Sequence, residues 1–252
     1  METLKVIDPK LENEKPISDV KYFPQKSFLA AIIGPVYSGK SYLCYQVVSS
    51  FYKLKYDYIY IMSVNKEYQY NVKESDIRTE FDLPWFYNKI TMLKLSNDQL
   101  EKQNKPLIVY DIMLLIDDFA SDLKKLKQTE TTNLFLRRRH FDDRTVNGKT
   151  KHYINLSIIL TSQYYRLLNP IIRTQLTSCI FFSLPFIEIN KLFEEMVKVN
   201  IKSKDFLQIC EQVFAIPYSA VQIRMDVQNE FKYTVIRQNE KKEYVITILK
   251  LK

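Results

Sequence analysis

The stretch AAIIGPVYSGKSYLCY, Ala30 to Tyr45, decides how the other residues of this 252-residue chain are read. An apolar run leads into GPVYSGKS, residues 34–41, and an amphipathic run follows. The octapeptide fits G-x-x-x-x-G-K-[ST] in the context that motif requires, a strand before it and a helix after it. The chain holds only three glycines, and two of them, Gly34 and Gly39, sit in this loop. A residue so scarce is expected where only glycine works, because it allows unusual dihedrals and close approach of backbone to an anion. Gly34, Pro35, Val36, Tyr37, Ser38, Gly39, Lys40, Ser41 and Tyr42 are therefore expected to wrap a polyphosphate with backbone N–H groups. The dipole of the following helix favours the same anion. Lys40 would reach the β- and γ-phosphates, and the Ser41 hydroxyl would hold Mg²⁺. The loop implies a nucleotide; it leaves open which one and what work is done.

Outward from the loop, Phe28–Ile33 is a short apolar run suited to a strand buried on both faces. Ser41–Leu54 has helical apolar spacing, and Tyr56–Val64 reads as a strand. Further strands are expected at Ile90–Leu95, Ile112–Ala120, Ile154–Gln163 and Thr177–Leu184. Helices are expected over Leu123–Phe141, Ile187–Val199 and Lys204–Phe214, and two or three strands in the tail. Gly148 follows Asn147 as a turn signal in a polar loop. Alternating strands and helices give an α/β fold, a mostly parallel sheet flanked by helices, with ligands beyond the C-terminal strand ends. The organisation expected is a lead-in over 1–26, a P-loop nucleotide-binding domain over 27–227 and a C-terminal strand extension over 228–252 packed on it.

Composition sets the outer limits. At 46% hydrophobic and 26% charged, the chain can bury a full core. It contains no run of eighteen apolar residues, so no membrane span is expected. The three cysteines lie far apart, which fits buried thiols in a reducing compartment better than a disulfide or metal site. The formal charge of +8 favours anionic partners such as nucleic acid, though a plain basic protein would carry it too.

Two strand tips point to hydrolysis. MLLIDD, Met113 to Asp118, is an apolar strand ending in paired acids. A nucleoside triphosphatase needs an acid there for the magnesium shell, and Asp117 fits. Asp118 could polarise the attacking water, although many such enzymes carry glutamate in that place. Solvated acids capping the next helix are the plain alternative. Gln163, at the tip of SIILTSQ, could hydrogen-bond the γ-phosphate or the water. Two basic sites follow, Arg137–Arg139 and Arg173. Each could be a solvated helix end, or could meet phosphate of DNA or of a neighbour's nucleotide.

Together these pieces resemble the viral genome-packaging ATPases of the FtsK–HerA superfamily, known from poxviruses, other large DNA viruses and virophages. The matching segments are GPVYSGKS, LLIDDFA, LFLRRRHF and INLSIILTSQYYRLLNPIIRTQL, and the likeness spans residues 28–227. Asp117 and Asp118 match the family's double acid; Arg137, Arg139 and His140 match its Arg-Gly-Arg-His signature, with Arg138 replacing the glycine. Asn155, Ser157 and Gln163 match the sensor strand, and Pro170 precedes Arg173 as in the family. A further departure is the 141–152 insertion, which lets Lys151 and His152 compete for the Arg-His position. The resemblance implies a RecA-like (ASCE) P-loop NTPase that binds ATP and Mg²⁺. It implies a homo-oligomeric ring, pentamer or hexamer, around double-stranded DNA. Arg173 or the Arg137–Arg139 cluster, with Arg139 its candidate, would then supply the arginine acting across subunits, and capsid vertex proteins would be partners. The location implied is the host cytoplasm, a viral factory or the virion. Alternatives are another P-loop motor (helicase, helicase loader or secretion ATPase) and a scaffold that binds nucleotide without hydrolysing it.

Overall fold

The computed structural model describes residues 15–16, 23–25, 27–65, 70, 72–138, 140–146, 148–197, 201–227, 232–239 and 244–248. Of the expected lead-in, only 15–16 and 23–25 fall within these. A ten-stranded sheet organises the chain. In chain order its strands are β1 (Lys15–Pro16), β2 (Leu29–Ile33), β3 (Tyr58–Ser63), β4 (Ile77–Arg78) and β5 (Tyr110–Asp117). A separate two-stranded hairpin, β6 (Asp143–Val146) and β7 (Lys149–His152), comes next. The large sheet resumes with β8 (Ile154–Ser162), β9 (Ser178–Phe181), β10 (Ala220–Arg224), β11 (Tyr233–Gln238) and β12 (Tyr244–Ile248). Its spatial order is β1-β12-β11-β10-β9-β2-β8-β5-β3-β4. The run from β9 to β4 is parallel, and the run from β10 to β1 is antiparallel.

The middles of the central strands are largely apolar because both of their faces are covered. Ile112, Leu114 and Ile116 of β5 enter one core, whereas Met113 and Leu115 enter the other. In β2, Leu29, Ala31 and Ile33 divide from Ala30 and Ile32 in the same way. A fully buried side chain of this size contributes about 1.5–3 kcal/mol, so the strand register is strongly set.

Helix α1 (Lys40–Gln46) leaves the phosphate loop and continues as a π-helical turn to Tyr52. Its Leu43 and Cys44 pack into one core with Val47 and Val48. Helix α2 (Leu83–Lys102) corrects the expectation of a strand at Ile90–Leu95. Asp82 caps it by accepting a bond from Trp85 N–H at 2.9 Å, and a proline stands in its first turn. The buried positions Leu83, Phe86, Ile90, Leu93 and Asn97 follow helical spacing over a window longer than the six residues that read as a strand.

The single helix expected over Leu123–Phe141 is broken. It becomes α3 (Ala120–Lys125), α4 (Gln128–Thr131) and a π-helical turn over Thr132–Leu136. The break falls at Leu126 and Lys127, both extended, where Glu130 accepts from the Lys127 N–H at 2.9 Å. The polar loop expected around Gly148 is instead the β6–β7 hairpin, with Gly148 at φ +72° in its turn. Helices α5 (Pro170–Thr174), α6 (Phe186–Met196) and α7 (Ser203–Phe214) complete the described α-helices. The last two carry buried apolar residues at helical spacing, as their sequences predict.

Candidate active site

Register brings the polar strand tips together. Ile33 pairs with Ser162, and Ser63 pairs with Asp117, all in parallel strands. The loop after β2 therefore lies beside the tips of β8 and β5. Gly34 N–H donates to the Ser162 carbonyl at 3.0 Å, which ties the start of the loop to β8.

The two glycines of the loop are needed for different reasons. A Cβ at Gly34 would stand 2.6 Å from Ser38 Oγ and 2.9 Å from Phe182 Cβ, so the requirement there is space. Gly39, the residue before α1, has φ +95°, a conformation that L side chains rarely adopt. Tyr37 is also left-handed at φ 63° and is almost fully exposed. The loop thus turns tightly over its own backbone and leads straight into the first N–H groups of α1.

Lys40 is buried, and its amine donates to the Pro35 carbonyl at 3.0 Å. Burial lowers the ammonium below its ordinary value, while Asp118 and Asp117 act against that loss. Asp117 lies at the centre of the site and is 1% exposed. Three hydroxyls converge on its carboxylate: Thr161 at 2.7 Å, Ser63 at 3.0 Å and Ser41 at 3.4 Å. Asp117 therefore stands beside Ser41, the pairing that a magnesium shell requires, and all of these donors are hard oxygens.

Asp118 is exposed and sits at φ 65°, unusual for a residue with a side chain. Its N–H donates to Thr161 Oγ1 at 2.8 Å. Thr161 thus bridges the buried acid and the backbone of the exposed one. Such strained residues cluster at functional sites and cost about 1–3 kcal/mol each. Gln163 is half-buried and follows the last residue of β8, next to Ser162.

The arginines divide differently. Arg173 on α5 is 12% exposed, with Nε 3.3 Å from Glu195 Oε2 and its guanidinium 5.4 Å from the Tyr165 ring centroid. In this conformation it is an internal ion pair against α6. Arg138 is buried and donates to the carbonyls of Phe135, at 2.7 Å, and Ser27, at 3.3 Å. It holds the chain together at the point where the resemblance places a glycine. Arg137 is exposed, and Arg139 lies outside the described residues.

Ser63, Thr161, Tyr218 and Tyr244 were not singled out by sequence reasoning. Ser63 and Thr161 both sit at strand tips, a signal available in the sequence. Tyr244 Oη lies 3.5 Å from the Gly39 carbonyl and 2.6 Å from where a Gly39 Cβ would be. Tyr218 comes within 3.4 Å of the same point. No local pattern announces either contact. Cys44, Cys179 and Cys210 are free and buried, and burial pushes all three thiols up. Among the described residues, no helix is long and apolar enough to cross a membrane.

This loop, the acid-tipped strand β5 one strand removed from β2, and the mostly parallel sheet define the P-loop NTPase fold of RecA-like type. Solved structures share it. The DNA-packaging ATPase B204 from Sulfolobus Turreted Icosahedral Virus is 19% identical, covering 90% of this chain and 98% of that one, with a TM-score of 0.52. The genome packaging NTPase B204 from Sulfolobus turreted icosahedral virus 2, solved with AMPPCP, is 18% identical over 90% and 99%, with a TM-score of 0.54. The same NTPase solved with sulfate is 17% identical over 90% and 98%, with a TM-score of 0.55. No family model and no curated protein matches the chain.

Proposed function

We propose that the chain is an ATP-hydrolysing motor that moves double-stranded DNA into a preformed viral capsid. The observation that carries the hydrolytic part is Asp117, buried beside the phosphate loop with Ser41, Ser63 and Thr161 on its carboxylate. The packaging part rests on the fold shared with the B204 packaging NTPases and on the signature residues quoted above.

In this reading the loop N–H groups and α1 bind the β- and γ-phosphates, and Lys40 adds a positive charge to them. Ser41 and Asp117 fit Mg²⁺, which when bound offsets the charge developing between the phosphates. Asp118 and Gln163 orient the attacking water from two sides. Residues 27–227 form the ATPase domain, and 228–252 extend it through β11 and β12. A net charge of +8 supports contact with DNA phosphates without reading sequence. Subunits form a ring, an exposed arginine of the 137–139 segment reaches a neighbour's nucleotide, and the ring docks at a capsid vertex. Arg173 could serve that role only by leaving Glu195.

The test is ATP turnover with and without double-stranded DNA of arbitrary sequence. DNA is expected to stimulate release of phosphate, and Lys40→Ala to abolish it. Full activity in that variant would overturn the mechanism. ATP binding without phosphate release in the wild type would establish a scaffold instead.

A further inference from the structure

The chain contains two histidines, His140 and His152, and both meet one carboxylate. His140 Nδ1 is 2.8 Å from Asp143 Oδ2, and His152 Nδ1 is 2.6 Å from Asp143 Oδ1. Asp143 and His152 are direct partners across the β6–β7 hairpin, while His140 enters from the segment before it. One ligand atom from each residue lies within 4.8 Å of the others. All three side chains reach solvent.

We propose that His140, Asp143 and His152 bind one Zn²⁺ ion. Two imidazole nitrogens and a carboxylate are a zinc-class donor set, distinct from the all-oxygen set around Asp117. Tetrahedral bonds of about 2.0–2.1 Å separate ligand atoms by roughly 3.3 Å. Reaching that spacing requires the carboxylate to draw back slightly and the exposed imidazole rings to close on each other. The water-facing side supplies the fourth ligand. The three cysteines do not compete, because each is buried.

The platform is already built. Arg144, the residue after Asp143, is 13% exposed and reaches Asp98 at 2.7 Å and Glu101 at 2.7 Å on α2. It also binds Asp142 at 3.0 Å. Asn97 of α2 adds a bond to Asp142 at 3.3 Å. The hairpin is thus held against α2 independently of the histidines. Bound zinc would join both hairpin strands to the segment that carries Arg137 and Arg138.

The probe is Co²⁺, and then Zn²⁺, titrated into the full chain without nucleotide. One equivalent of Co²⁺ is expected to give a visible d–d absorption that one equivalent of Zn²⁺ removes. His152→Ala and His140→Ala should each weaken binding by about tenfold or more. Their metal-free melting temperatures, measured beside the wild type, report whether each variant folds. The proposal fails if no saturable absorption develops. It fails equally if folded His152→Ala and His140→Ala both bind with wild-type affinity; the triad is then a hydrogen-bonded clip only.

Discussion

The phosphate loop and the β6–β7 hairpin with the segment before it both gather scarce residues, two of the three glycines in one case and both histidines in the other. They are held by opposite means. The loop hangs from buried parallel strands, and its partners Ser162 and Asp117 are fixed by register. Among the described residues the hairpin pairs only with itself, and ion pairs from Arg144 fasten it to α2. Geometry set by buried register cannot change without the fold. Geometry set by partly exposed charges can be added or altered while the sheet stays intact.

The largest test of that contrast is Asp117→Ala. Turnover should fall by about 10³-fold or more, because several kcal/mol of metal-assisted stabilisation is lost. Three hydroxyls also lose their acceptor, which should cost about 1–3 kcal/mol in urea unfolding. Turnover within tenfold of the wild type would remove Asp117 from the site.

Thr161→Val keeps the shape of the side chain and deletes the bridge to Asp117 and to the Asp118 N–H. Steady-state kinetics should give a kcat lower by about 10–100-fold, with the sheet still folded by circular dichroism. An unchanged kcat would mean that register alone orients the acids.

The two left-handed glycines sharpen the comparison. Gly39 at φ +95° would bring a Cβ to 2.6 Å from Tyr244 Oη, whereas Gly148 at φ +72° has nothing within 4 Å. Gly39→Ala should lower unfolding stability by about 1–3 kcal/mol, dihedral strain and crowding acting together. Gly148→Ala should lose only about 1 kcal/mol, for the dihedral alone. Equal losses in urea titrations would show that surroundings contribute nothing at either glycine.

The fold was legible in the sequence wherever local pattern and burial agree. The strand β2 is an apolar run, β5 and β8 are apolar runs with polar tips, and α6 and α7 keep helical spacing. Helix α2 was misread because ITMLKL is apolar and partly β-branched within a short window, while its cap, Asp82, stands upstream. The break at Leu126 turns on a local cap, Glu130 on the Lys127 N–H, which a run of helical spacing conceals, whereas the anchoring of Arg138 depends on the Ser27 carbonyl, far away in sequence. The site was half legible for the same reason. The motif announces Gly34, Lys40 and Ser41, and the strand tip announces Asp117. The bridging role of Thr161 needs two strands in register. The internal pairing of Arg173 needs α6 packed beside α5.

Tyr244 gives the phosphate loop a history as well as a wall. It reaches the Gly39 carbonyl across a separation of 205 residues. At about 5–20 residues per second, a ribosome takes some 10–40 s to travel that distance. For that interval the loop exists without the strand that flanks it. The Gly39 carbonyl gains this partner only once residue 244 has been made.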